Sequence, residues 1–261
     1  FQCTNRNYLS FCELAGKENV TVFNFSGKME KGLKGRLKKW ANYFRGFKEG
    51  LNMNKIAGMK TAAMNADLVF IDSSSFGTVA YYLKKAGVKA KIITFFHNIE
   101  YKIARQYIRI KPTQFWRILM MYYNEKTAVK YSDEIIALNR RDRDELQKIY
   151  KAENISIIPI SFIDSFGGHP DVNTSVPPSL LFFGNKWYPN VQGIKWFINN
   201  VLDEVNIKLN IVGIGLEKYS RLFNHPKINF IGFVPDLSVA LLEADYILSP
   251  IFTGGGMKVK T

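Results

Sequence analysis

Hydrophobic positions along this chain come in short blocks separated by longer amphipathic stretches. Asp67-Leu68-Val69-Phe70-Ile71-Asp72, Lys91-Ile92-Ile93-Thr94-Phe95-Phe96, Asp133-Glu134-Ile135-Ile136-Ala137-Leu138 and Ile155-Ser156-Ile157-Ile158-Pro159-Ile160 are apolar runs of strand length. Val20-Thr21-Val22-Phe23-Asn24-Phe25 is β-branched and aromatic, so it too predicts a strand. Between these runs the pattern turns helical. Arg6 to Ala15, residues 30–60, a long stretch from Ile99 to Tyr131 broken at Pro112, and Arg140 to Tyr150 all read as helix. Ser73-Ser74-Ser75 supplies capping hydroxyls for the helix that follows Asp72.

Residues 162–178 change character, with Gly167-Gly168-His169-Pro170 and Pro177-Pro178 reading as loop. The alternation then restarts. Leu180 to Phe183, Leu209 to Val212, Ile228 to Ile231 and Tyr246 to Leu248 read as strands. Asn190 to Val201 and Leu237 to Ala244 read as helices. Short apolar strands alternating with helices imply parallel βαβ units with helices on both sheet faces. The expected fold class is α/β with two Rossmann-like domains: an N-terminal acceptor domain over 1–165, a linker over 166–178 and a C-terminal nucleotide-sugar domain over 179–261. Both halves read as truncated, the first lacking its opening strand and the second its closing helices.

A chain of 261 residues, 47% apolar, has room for two ordinary cores. Cys3 and Cys12 lack metal-ligand spacing, and so few thiols fit a reducing compartment. No apolar run reaches membrane-span length, and no leader pattern is visible. The net charge of +14 points to anionic partners without selecting one.

In open α/β sheets, ligands bind beyond the carboxyl ends of the strands. Gly184-Asn185-Lys186, Gly213-Ile214-Gly215, Gly232-Phe233-Val234 and Gly254-Gly255-Gly256 follow four successive strand patterns. Glycine lets a backbone approach a ligand closely, and exposed amides with Lys258 and Lys260 suit phosphate. In the first half, His97-Asn98 follows a strand directly, where an imidazole can bond a substrate oxygen or move a proton. Local capping of the next helix is the alternative role for that histidine. Asp72-Ser73-Ser74-Ser75 stands at another strand end, with capping an equal explanation. His169 and His225 read as linker and turn residues. There is no metal-binding cluster, no nucleophile elbow and no Walker-type loop.

Taken in order, Gly184 to Asn190, Leu209 to Gly215, Gly232 to Leu237, Ala244-Asp245 to Pro250 and Gly254 to Lys260 resemble the C-terminal domain of GT-B glycosyltransferases of family four. His97-Asn98 resembles that family's N-domain strand-end histidine. The resemblance implies a retaining, metal-independent hexosyltransferase with no cofactor. Its donor, a UDP- or GDP-sugar, would lie in a cleft between two Rossmann-like domains. Gly184, Asn185 and Lys186 would approach the diphosphate, and Phe233 and Val234 would flank the base. Gly255, Gly256, Met257, Lys258 and Lys260 would wrap the sugar and phosphates, with Lys258 and His97 in the catalytic set. The family pattern departs at Gly255, where many members have Glu, and a second family Glu would fall past Thr261. A nucleotide-sugar epimerase and a non-catalytic GT-B partner subunit are the alternative functions.

Residues 28–60 carry ten Lys or Arg against Glu30 and Glu49. Leu33, Leu37, Trp40, Phe44, Phe47 and Leu51 follow helical spacing and would form one apolar face. The segment is expected either to pack on a sheet with a solvated basic face or to lie on an anionic membrane. Acceptors are expected to be glycans or lipid-linked glycans of cell-surface polysaccharide or glycolipid synthesis. The expected location is cytoplasmic, with peripheral contact to the inner face of the cell membrane. Nucleic acid is not an expected partner, because no known binding motif is present.

Overall fold

The computed structural model describes residues 2–25, 33–48, 50–108, 115–159 and 176–253. They form two compact units, described separately below. The first contains α1 (Gln2–Ala15), α2 (Leu33–Phe44), α3 (Met53–Ala63), β1 (Leu68–Ile71), α4 (Thr78–Lys85), β2 (Lys91–Phe96), α5 (Glu100–Ile108), α6 (Phe115–Tyr131), β3 (Glu134–Ala137), α7 (Arg140–Tyr150) and β4 (Ile155–Ile157). Its strands make one parallel sheet in the order β1-β2-β3-β4. The second contains β5 (Ser179–Phe183), α8 (Tyr188–Asn200), β6 (Lys208–Val212), β7 (Ile228–Gly232), α9 (Leu237–Leu242) and β8 (Tyr246–Ile247). Its parallel sheet runs β7-β6-β5-β8. The α/β class with two parallel sheets is the one expected from the apolar pattern.

The cores sit where helices close over the sheets. Phe47, Leu51, Ile56, Leu83 and Ile92 are fully buried together in the first unit. Phe182, Ile194, Leu202, Leu209 and Ile211 do the same in the second. An aspartate just ahead of a strand pins the register in each sheet. Asp133 Oδ2 accepts from Ile92 N of β2 at 2.7 Å, and Asp245 Oδ2 accepts from Ser179 N of β5 at 2.7 Å. In both cases a carboxylate satisfies the neighbouring strand's amide at the sheet rim. Asp245 of the family-like Ala244-Asp245 pair is thus tied into the sheet.

Two expectations need correction. Val20 to Phe25 is extended but is not a strand. It runs beside α3, with Phe25 against Phe76 at 4.6 Å and Lys55 Nζ donating to Asn24 O at 3.3 Å. Lys55 Nζ of α3 also lies over the Phe25 ring, so the segment packs beside a helix and, among the described residues, pairs with no strand. Among the described residues of 30–60 there are two helices, because the chain turns at Gly46 and Gly50, whose φ values are +75° and +90°. The single apolar face is therefore split: Phe47 and Leu51 are buried, whereas Leu37, Trp40 and Phe44 on α2 are exposed. The stretch from Ile99 to Tyr131 forms two helices, α5 and α6, on either side of the expected break, and Pro112 itself lies outside the described residues.

Candidate functional site

In the second unit, parallel pairing brings four strand ends to one sheet edge. From β5 the chain crosses to β6 on one side, and β8 flanks β5 on the other. The crevice between β5 and β8 is therefore a topological switch point, where such sheets bind ligands. Gly184-Asn185-Lys186 leaves β5 at that point, and Leu248 to Thr253 leaves β8. The β5 and β6 loops press together. Gly184 N donates to Val212 O at 2.9 Å and Lys186 N to Ile214 O at 3.1 Å. A Cβ on Gly213 would lie 1.5 Å from Gly184 O, so only glycine permits this approach. Asn185 Oδ1 accepts from Trp187 N at 3.0 Å and from Asn190 Nδ2 at 3.2 Å, which fixes the loop before α8. One edge over, Gly232 N-terminal to Phe233 turns with φ +79°, and its carbonyl accepts from Gly213 N at 2.7 Å. Phe233 is exposed there and Val234 half-buried. Gly184, Asn185, Lys186, Phe233 and Val234 thus share one edge of this sheet. Gly255, Gly256, Met257, Lys258 and Lys260 lie outside the described residues.

The last described loop is held by α8. Gly193 lies against Pro250, where an added Cβ would sit 1.7 Å from the Pro250 carbonyl oxygen. Thr253 Oγ1 donates to Gln192 Oε1 at 2.9 Å, and Phe252 meets Trp196 edge-on at 4.9 Å. One face of α8 therefore positions the chain leaving β8.

In the first unit, His97 stands at the end of β2 beside Asp72 at the end of β1. Its Nε2 lies 3.0 Å from Asp72 O and 3.2 Å from Asp72 Oδ1. Both partners are acceptors, so Nε2 is the donor here. The ring packs edge-on against Phe95 at 4.6 Å. Burial pushes the Asp72 carboxyl up. Bonds from His97 and from Asn7 Nδ2 (2.7 Å), the nearby Thr4 hydroxyl and the His97 charge outweigh that, holding it below the ordinary carboxylate range. Asp72 Oδ2 is buried and closes no hydrogen bond within the described residues. His97 is thus a strand-end imidazole with an acidic partner. The Asp72-Ser73 segment both caps, through Ser73 Oγ to Ser75 N, and holds that imidazole. His225 belongs to a turn, its Nε2 on Asp203 Oδ1 at 3.0 Å and its Nδ1 accepting from Lys227 N.

Two buried polar residues on α6 were not among the expected site residues. Asn124 accepts from Thr78 N at 3.2 Å and donates to Gly46 O at 2.8 Å. Glu125 accepts from Glu100 N at 2.6 Å, Tyr101 N at 3.2 Å, Ser74 Oγ at 3.2 Å and Tyr150 Oη at 2.7 Å. Desolvation pushes Glu125 up to about 7, although those bonds pull the other way. The same contact with Glu125, on top of burial, raises the Tyr150 hydroxyl. A polar pair inside an otherwise amphipathic helix is the one sequence signal for these residues. Among the described residues no three His, Cys, Asp or Glu side chains gather where they could hold a metal ion.

Comparison with known proteins gives part of this chain a family-model match and the whole a likeness of fold. Residues 177–261 match the family model of Glycosyl transferases group 1. No curated protein sequence matches the chain. Among solved structures, Anabaena HepE in complex with UDP and glucose is similar at 14% identity and TM-score 0.56, over 79% of this chain and 58% of that one. The lipopolysaccharide outer core galactosyltransferase WaaB is similar at 15% identity and TM-score 0.50, over 81% of this chain and 55% of that one. TarM is similar at 12% identity and TM-score 0.55, over 77% of this chain and 40% of that one. The chain thus spans little more than half the length of the first two and less than half of TarM. The likeness extends over both units and is one of fold, that of GT-B glycosyltransferases, in agreement with the resemblance read from the ordered strand-end motifs.

Proposed function

We propose that this chain is part of a retaining glycosyltransferase that moves a sugar from a UDP- or GDP-sugar to a glycan or lipid-linked acceptor. The observation that carries the reading is the glycine-bearing edge of the second sheet, centred on the β5–β8 switch point and contained in the matched residues 177–261. HepE, similar in fold, is described with UDP and glucose and with UDP-glucose, which supports a nucleotide-sugar donor. In this reading Gly184, Asn185 and Lys186 approach the diphosphate and Phe233 and Val234 flank the base. Gly255, Gly256, Met257, Lys258 and Lys260 enclose the sugar and phosphates. Breaking the bond between the anomeric carbon and the diphosphate leaves negative charge on the leaving group. Amides and lysine stabilise that charge, which is the basis for including metal-independent transfer in the reading. His97, held by Asp72, faces the transferring sugar or the acceptor.

A thermal-shift screen of the full-length protein with UDP-, GDP-, ADP- and CMP-sugars tests this directly. One donor at a hundred times its Kd is expected to add about 2.7 kcal/mol to stability, a rise of several degrees in Tm. Flat melting curves with all four classes would sink the nucleotide-sugar reading.

The reading also includes peripheral membrane contact through residues 28–60. On α2, Leu37, Trp40 and Phe44 are exposed, and Tyr43 stacks on Trp116 of α6 at 4.5 Å. Leu33 to Lys48 contains Lys34, Arg36, Lys38, Lys39, Arg45 and Lys48 and no acidic residue. Exposed aromatic residues among basic positions suit an anionic interface. No helix among the described residues is long and apolar enough to cross a membrane. Flotation with phosphatidylglycerol vesicles should recover the protein, and phosphatidylcholine vesicles should not. Equal recovery with both, or none with either, would remove the membrane from the proposal.

A further inference from the structure

We infer that Glu125 is a positioning residue for His97, a role that rests on the transferase reading above. The argument starts from where the carboxylate's four donors come from. Glu100 N and Tyr101 N open α5, and Glu100 lies three residues beyond His97. Ser74 lies two residues beyond Asp72, the partner of His97. Tyr150 closes α7. One carboxylate therefore ties together the segments that leave β1 and β2, and these carry the two residues of the His97–Asp72 pair.

All of its acceptor capacity is used, with two donors on each oxygen. The side chain is fully buried, so water cannot substitute for a lost donor. A desolvated carboxylate is an expensive way to hold a helix, since apolar packing of similar volume often serves stability as well or better. What it adds is direction. Two backbone amides and two hydroxyls must converge on a group barely 2 Å across, which fixes the start of α5 relative to the turn at Ser74. Asn124, the preceding residue, does the same for α4 through Thr78 N and Thr78 Oγ1. Consecutive helix positions point about 100° apart, so the pair reaches two different helix starts from one α6 turn. The carboxylate also sits at the positive end of α5, which favours its charge against the burial that opposes it.

The test uses Glu125→Gln and Tyr150→Phe in the full-length protein. The chain has three histidines, and His225 is in the other unit, bonded to Asp203. In nitrogen-15-labelled protein, Glu125→Gln is expected to shift or broaden the ring signals of His97 and leave those of His225 in place. With a working donor, kcat should fall about tenfold while the donor KM stays within about twofold, the mark of misplaced reacting groups. A residue that served stability alone would lower Tm without moving the His97 signals, and that result in folded Glu125→Gln overturns the inference. Should Glu125→Gln fail to fold, Tyr150→Phe keeps the carboxylate and removes one donor; unmoved His97 signals in that variant overturn the inference equally. Displaced His97 signals in a protein that turns over no nucleotide sugar uphold the positioning and sink the transferase reading instead.

Discussion

Replacing Lys258 by alanine is expected to cut turnover by about 10²–10³-fold with the Tm nearly unchanged. In the sequence, Lys258 follows the run Gly254-Gly255-Gly256-Met257, a few residues after β8. In the proposed transfer, the charge on the diphosphate grows between ground state and transition state. A lysine aimed at that oxygen therefore lowers the barrier more than it tightens donor binding. The loss should appear in kcat and in kcat/KM alike, and much less in KM. Lys258→Arg keeps the charge but changes its shape from a compact ammonium to a planar fork, so partial recovery is expected. Single-turnover measurements with saturating donor give the comparison. Near-normal turnover in Lys258→Ala would remove this lysine from the phosphate site.

Gly193→Ala is expected to destabilise the protein by about 2 kcal/mol, although alanine is the better helix former. Inside a helix the exchange favours alanine by about 1 kcal/mol. Here the new methyl would lie 1.7 Å from Pro250 O and 2.8 Å from Pro250 C, both backbone atoms. Relief requires α8 to move off the chain leaving β8, and that chain also depends on α8 through Thr253 and Phe252. The steric term outweighs propensity, so the Tm should fall by several degrees. The donor-induced rise in Tm should shrink as well, because the displaced segment leads into the triple glycine. Gly58→Ala in α3 is the matched control. Its Cβ would meet only Phe23 Cε1, at an ordinary 3.6 Å, so this variant should be neutral or gain up to about 1 kcal/mol. Equal stability of the two variants would refute the close α8–Pro250 contact.

These two glycines show how far a reading of residues alone extends. Both sit mid-helix in amphipathic stretches, and nothing in their flanking sequence separates them. The contrast arises from what each helix faces. Val20 to Phe25 makes the same point from the other side: its composition is that of a strand, yet Lys55 of α3 holds its backbone at Asn24 and covers the Phe25 ring, and among the described residues no strand pairs with it. The apolar spacing from Leu33 to Leu51 was legible as helix, but the turn at Gly46 sends Phe47 and Leu51 inward and leaves Trp40 and Phe44 outside. Asp72 could be read as a strand-end residue; that it grips His97 depends on β1 and β2 being neighbours in register.

The apolar runs by themselves determined the α/β class, the alternation of strands and helices, and the strand ends on which the glycines and His97 fall. Those properties follow from local periodicity and from the rule that buried runs of four to six residues become parallel strands when helices separate them. Only the tertiary structure decided which strand ends adjoin, that α8 closes on Pro250, and that Asn124 and Glu125 turn inward to cap α4 and α5. The bonds from Asn124 and Glu125 to the starts of α4 and α5, for example, join residues 24 to 46 positions apart. Such contacts leave no period in the sequence, because their geometry is set by the elements on both sides and not by the residues next to them in the chain.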